Sequence, residues 1–232
     1  STRVRSSAAS DVYKRQGYDG EGTVVAVIDS GLQYTHEAFA DHGLSEAPAI
    51  TAEDTAAFLA AGGTQGRYIS PRIPFAYDYY GGDDDVWTED SHGTHIAALA
   101  AGYARDEDGA VRFRGAAPAA QILAMKVFPD NSGSGADDSD ILRAMEDAWT
   151  LGADVINLSL GSDSGFTADG ALGGAYAAAF QALREAGVIL CCAAGNAGYA
   201  TYGKLQGSAL PTAAYTDYGT LASPASYRGT VA

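Results

Sequence analysis

Residues 23–28, Thr-Val-Val-Ala-Val-Ile, form an unbroken apolar and β-branched run between Gly22 and the Ser30-Gly31 pair. A run without polar alternation is the pattern of a strand buried on both faces. Similar runs recur at 121–128, 154–160 and 188–193. Between them the period lengthens to that of helices, at 92–101, 139–151 and roughly 171–186. In the middle helix Ile141, Leu142, Met145, Ala148 and Trp149 are expected on one buried face, with Asp138 or Ser139 capping its start and Gly152 ending it. Strands alternating with helices predict an α/β fold, mainly a parallel sheet with helices on both faces.

Residues 41–90 break this rhythm. They hold Gly62-Gly63, Pro71, Pro74, the tyrosines Tyr77, Tyr79 and Tyr80, and the run Asp83-Asp84-Asp85. They read as an insertion at the edge of the domain, with a short helix at 53–61. No internal repeat occurs, and 232 residues suit one domain with a well-formed core.

The two ends need separate treatment. Residues 6–16, Ser-Ser-Ala-Ala-Ser-Asp-Val-Tyr-Lys-Arg-Gln, resemble one reading frame of a sequencing adapter, so residues 1–16 are expected not to be native. Residues 227–232 stop where a further strand begins, which leads us to expect a truncated, C-terminally incomplete domain over 17–232.

Composition narrows the function. Apolar residues make up 47% and charged residues 19%, as in a globular chain. A formal charge of −15 repels phosphate backbones and anionic lipid, so no nucleic-acid partner is expected. No run approaches the roughly 20 apolar residues needed to span a membrane. Cys191 and Cys192 are adjacent, point to opposite strand faces, and read as small buried hydrophobes rather than a disulfide.

Candidate chemistry gathers at strand ends and one helix start. In an open parallel sheet, ligands bind beyond the C-terminal strand ends, where Asp29, Asn157 and Asn196 are expected. Asp29 closes an apolar strand, where a carboxylate persists only if hydrogen-bonded; alone, it serves equally well as a turn cap. His92 opens the small-residue helix 92–98, a buried helix start well placed for a base. His92 and His95 are three apart, but no third ligand accompanies them and the glutamate of H-E-x-x-H is missing, so no metal is expected there and His95 reads as structural. Asn196 follows Ala193-Ala194-Gly195 and presents an amide at the rim, as an oxyanion donor or a turn residue.

Taken in order, Val27-Ile28-Asp29-Ser30-Gly31, His92-Gly93-Thr94-His95, 155–161 (Val-Ile-Asn-Leu-Ser-Leu-Gly) and Ala193-Ala194-Gly195-Asn196 resemble the subtilase family of serine peptidases, over nearly all of 17–232. The resemblance implies a subtilisin-like fold and an endopeptidase acting on protein or peptide substrates. It assigns Asp29 and His92 to the acid and base of the triad and Asn196 to the oxyanion hole, with Ser159, Leu160, Gly161, Ala193, Ala194 and Gly195 along the substrate cleft. His92 lies 63 positions after Asp29, and the intervening residues 66–68 and 74–79 resemble the cell-envelope branch of lactocepins and C5a peptidase, implying an extracellular or cell-envelope location.

One departure matters. No Gly-Thr-Ser follows Asn196, and Ser208, Ser223 and Ser226 lie too early and in other contexts. The nucleophile is therefore expected to be missing from this chain, which alone should be inactive; a pseudoprotease that binds peptides is the alternative. A phosphotransferase using Asp29 is discounted because Gly31 stands where a second acid is wanted. No cofactor is required by this chemistry. Calcium remains possible, but neither Asp83-Asp84-Asp85 nor Asp137-Asp138 has a recognisable ligand spacing, and solvated acidic loops are expected.

Overall fold

A computed structural model describes residues 17–62, 65–130, 135–162, 175–196 and 221–232. Residues 1–16, the expected start of a helix at 171–174, and Ser208 lie outside them. In chain order the elements are β1 (Val24–Asp29), a 3-10 turn (Glu37–Phe39), α1 (Ala52–Gly62), β2 (Phe75–Asp78), α2 (His92–Ala101), β3 (Tyr103–Arg105), β4 (Val111–Arg114), β5 (Gln121–Lys126), α3 (Asp138–Thr150), β6 (Val155–Leu158), α4 (Ala175–Glu185), β7 (Ile189–Cys192) and β8 (Thr230–Val231). Six strands form one parallel sheet in the order β2-β5-β1-β6-β7-β8, and β3 and β4 form a separate antiparallel pair.

β1 is buried along its whole length because it runs through the middle of this sheet. Its side chains alternate between two cores, as a pleated strand requires. Val25 and Val27 join Ile122, Ala124, Ala97 and Ala101 under α2. Val24, Ala26 and Ile28 join Met125, Ile141, Met145, Ile156 and Phe180 under α3 and α4. The α/β architecture with helices on both faces is thus the one the sequence pattern predicted. No helix among the described residues is long and apolar enough to cross a membrane.

Two details differ from expectation, and a third had no sequence signal. Residues 75–78, placed in the insertion, are the edge strand of the main sheet, with Phe75 opposite Leu123 and Asp78 opposite Lys126. All four are buried. Pro71 and Pro74 disguised the strand, although a proline just ahead of an edge strand removes no ladder bond.

In α3 the buried stripe is Ile141, Ala144, Met145 and Ala148, while Trp149 is 46% exposed. Trp149 sits about 100° around the helix from Ala148, outside a stripe centred on those four. The N-cap is Asp137, one residue earlier than expected, and it makes no side-chain cap bond. Gly152 does end the helix: its φ is +88° and its N–H reaches the Trp149 carbonyl.

The third is Arg72, which is fully buried. Its guanidinium donates to the carbonyls of Ala40 (2.9 Å), His42 (2.6 Å), Ala101 (2.6 Å), Pro118 (2.9 Å) and Ala120 (3.3 Å). Burial pulls its pKa down, against the nearby charge of Asp41. One side chain thereby pins the loop ahead of β2 to the C-terminal end of α2.

Candidate active site

Asp29 ends β1 and is 1% exposed; His92 is the first residue of α2. The His92 Nδ1 and Asp29 Oδ1 atoms are 2.7 Å apart, and the Ser30 N–H donates to the same oxygen at 2.7 Å. Burial raises the pKa of Asp29, and the hydrogen bonds from His92 and the Ser30 amide oppose that rise. With the carboxylate accepting, Nδ1 carries the proton of neutral His92 and Nε2 keeps its lone pair. The histidine was expected at a buried helix start, yet its side chain is 54% exposed. The acid is therefore enclosed while the imidazole is half exposed, because Gly93 and Thr94 carry the burial at the helix start.

Two glycines make this approach possible. A Cβ on Gly93 would lie 2.2 Å from the Gly31 carbonyl oxygen and 3.2 Å from the Asp29 side chain. Gly31 has φ +122°, and a Cβ there would meet the Val86 carbonyl at 2.5 Å. The helix start is also held from outside, where Asp90 Oδ1 accepts the His92 N–H at 2.8 Å.

Beneath Gly31 runs the stem of Lys126, whose ammonium pairs with Asp78 and, at 3.3 Å, with Asp130. Burial disfavours the Lys126 charge, but the bond and charge of Asp78 outweigh it and the pKa is raised.

The other candidate residues follow the next two strands. β6 lies beside β1, and after it come Ser159 and Leu160, half-buried, and Gly161, exposed. β7 lies beside β6, and after it Ala193, Ala194, Gly195 and Asn196 are all exposed. Asp29, 159–161 and 193–196 thus share the C-terminal rim over three adjacent strands. Asn157, expected there too, donates from Nδ2 to Ser159 Oγ at 2.9 Å. A cavity of about 230 Å³ opens beside Leu160 and Gly161, lined also by Phe128, Ile141, Tyr176 and Pro224.

A profile of the subtilase family matches residues 20–232. The chain belongs to the subtilase family. This subtilase chain is 38% identical over 193 residues to the PI-type proteinase of Lactococcus lactis subsp. cremoris, covering 81% of the chain and 10% of that protein. It is 34% identical over 214 residues to the C5a peptidase of Streptococcus pyogenes, covering 91% and 18%. These relatives fall in the branch that the long spacing between Asp29 and His92 resembles. The chain spans between a tenth and a fifth of the length of these curated relatives. Among solved structures, the prenylagaramide maturation protease PagA matches with a TM-score of 0.50 at 24% identity, covering 82% of this chain and 51% of that one, which supports the fold.

Within this subtilase fold some residues depart from their expected settings. His95, expected as a structural histidine, is exposed and lines a pocket of about 380 Å³ with Gln33, His36 and Phe113. Cys192 is buried as expected, and burial pushes its thiol up to about 12, whereas Cys191 is only half-buried. Asp83, Asp84 and Asp85 are exposed, with Asp85 paired to Arg67 at 3.2 Å. Among the described residues no three metal-ligating side chains converge. Sequence reasoning missed the tie between Ser30 Oγ and the Gly93 N–H at 3.1 Å; the only signal for it was a hydroxyl directly after the acid.

Proposed function

We propose that this chain carries the acid-base part of a serine endopeptidase, with Asp29 as the orienting acid, His92 as the base and Asn196 as an oxyanion donor. The observation that carries the reading is the 2.7 Å contact between a buried carboxylate and the Nδ1 of an exposed imidazole. In this mechanism His92 Nε2 takes the proton of a serine hydroxyl as its oxygen bonds to the scissile carbonyl carbon. The carbonyl oxygen becomes an oxyanion that accepts from the Asn196 side-chain amide; in subtilisin, loss of that donor costs about 2.7–4 kcal/mol. When the C–N bond breaks, His92 returns its proton to the leaving amine. Water then cleaves the acyl-enzyme with His92 again as base.

The nucleophile in this reading lies outside the 232 residues, none of which forms a Gly-Thr-Ser. Substrates are extended protein or peptide segments pairing along 159–161 and 193–195, with the enzyme outside the cell or on its envelope. Neither a metal nor an organic cofactor enters these steps.

The test is hydrolysis of an unfolded protein by the full-length protein and its His92→Ala variant. Cleavage by the parent and loss of at least about a thousandfold in the variant is the expected result. A parent that binds peptides and cleaves none would instead establish the pseudoprotease.

A further inference from the structure

The cavity of about 230 Å³ beside Leu160 and Gly161 takes no part in the proton transfers described above. It lies between the ends of β5 and β6 and the starts of α3 and α4. Ile141 and Tyr176 are its buried lining, and Phe128, Leu160 and Pro224 complete the apolar wall.

Asp138 stands at the edge of this wall and is exposed. Its Oδ1 accepts the Tyr176 hydroxyl at 2.9 Å, which orients the carboxylate and leaves Oδ2 able to accept again. Among the described residues Asp138 forms no ion pair. Apart from Tyr176, it is the one ionisable group on the described lining. Asp137 and Asp140 flank it at the start of α3, and together they outweigh the roughly half positive charge of a helix N-terminus. The cavity is therefore apolar within and negative at its edge.

Leu160 and Gly161 belong to the proposed substrate cleft, and an extended peptide pairing there sends every second side chain to one face. An acidic side chain entering the cavity would meet like charge. A wholly apolar one would cover the wall but strip water from Asp138 without offering it a donor. A long basic one lays its methylenes on Phe128, Leu160 and Ile141 and brings its cation to Oδ2, as lysine and arginine do where an apolar surface ends in a polar edge.

We propose that this cavity is a specificity pocket for a lysine or arginine side chain of the substrate, with Asp138 as the residue that recognises the cation. The inference rests on the substrate cleft of the reading above and goes further by assigning a charge to one substrate position.

The net charge of −15 attracts basic peptides wherever their charge lies, so the experiment is positional. A neutral peptide carries lysine, norleucine or glutamate at each position in turn. The full-length protein is tested as the parent, as Asp138→Asn and as Asp138→Lys. Each is measured for kcat/KM, and for peptide Kd in the presence of His92→Ala. At one position lysine is expected to exceed norleucine by about 5-fold, the scale of a partly exposed ion pair. That ratio falls toward one in Asp138→Asn, which still accepts from Tyr176, and in about 1 M salt. Asp138→Lys brings glutamate above lysine at the same position.

The proposal is overturned if no position favours lysine over norleucine, or if Asp138→Asn leaves the preference unchanged. A parent that cleaves nothing while its Kd series keeps the lysine preference overturns the peptidase reading and leaves the pocket assignment standing.

Discussion

Replacing Asp29 by asparagine removes one charge and leaves the shape of the site almost unchanged, and its two consequences run in opposite directions. For catalysis the loss is large. An asparagine can offer its N–H to His92 Nδ1, which selects the tautomer with the proton on Nε2 and removes the base. In a comparable triad this change costs about 10⁴-fold in kcat, equivalent to about 5.5 kcal/mol of transition-state stabilisation.

For folding the variant should lose little or gain. Asp29 is 1% exposed, and its burial raises its pKa above the ordinary value in spite of His92 and the Ser30 amide. A carboxyl with a raised folded-state pKa binds protons more tightly when folded. Its contribution to stability is fully present below the unfolded pKa, near 3.8, and is lost as pH rises through the higher folded value. At pH 7 the parent therefore bears the cost of a buried charge that the neutral variant avoids.

The assay is a pair of melting series from pH 3 to pH 8 on the full-length protein, with peptide hydrolysis followed in parallel at neutral pH. The expected result is an inactive variant that melts no lower than the parent at pH 7, with the parent gaining on it as the pH falls. An Asp29→Asn variant destabilised by more than about 2 kcal/mol at pH 7, with the gap closing in acid, would refute the reasoning, since it would show a net stabilising carboxylate.

Gly93→Ala places a methyl 2.2 Å from the Gly31 carbonyl oxygen, so α2 must withdraw from β1. A cost of about 1–3 kcal/mol in chemical denaturation and a fall in kcat are expected, and a variant of parental stability and activity would contradict the packing described. Arg72→Met strands five carbonyls, three of them in buried hydrogen bonds, and a loss of about 3 kcal/mol or more is expected, with Arg72→Lys recovering only part because an ammonium cannot span the fork. Equal melting of parent and Arg72→Met would count against that network. Cys192, with its thiol at about 12, should resist a thiol reagent at pH 8 until the protein unfolds, whereas rapid native labelling at Cys192 would show a looser sheet.

What the sequence disclosed, it disclosed through period and order. The run at 23–28 became β1 because a strand flanked on both sides by others has no polar face to show. The small-residue stretch from His92 became α2 with the predicted bounds, and its glycine proved necessary for contact with the turn after β1. The juxtaposition of Asp29 and His92, 63 positions apart, came from family order and not from periodicity, since nothing local links them.

What stayed hidden depends on tertiary partners. Arg72 makes no ion pair through its guanidinium and is satisfied by carbonyls from three separate stretches of chain, 40–42, 101 and 118–120, which no local pattern records. Strand β2 is only four residues long and follows two prolines, so its pairing with β5 decides its conformation. Trp149 was misassigned because apolar character outweighed helix phase. The helix start at His92 was expected to be buried, and Gly93 and Thr94 carry that burial while the His92 imidazole is half exposed.

The central claim is that Asp29 and His92 activate a serine supplied from elsewhere in the protein. The most direct measurement is labelling of the full-length parent with a fluorophosphonate, followed by mass-spectrometric mapping of the modified residue and repetition on His92→Ala. The account predicts one labelled serine outside residues 1–232, with labelling abolished or greatly slowed when His92 is replaced. Labelling at a serine within these residues, or labelling that proceeds equally fast without His92, would contradict it.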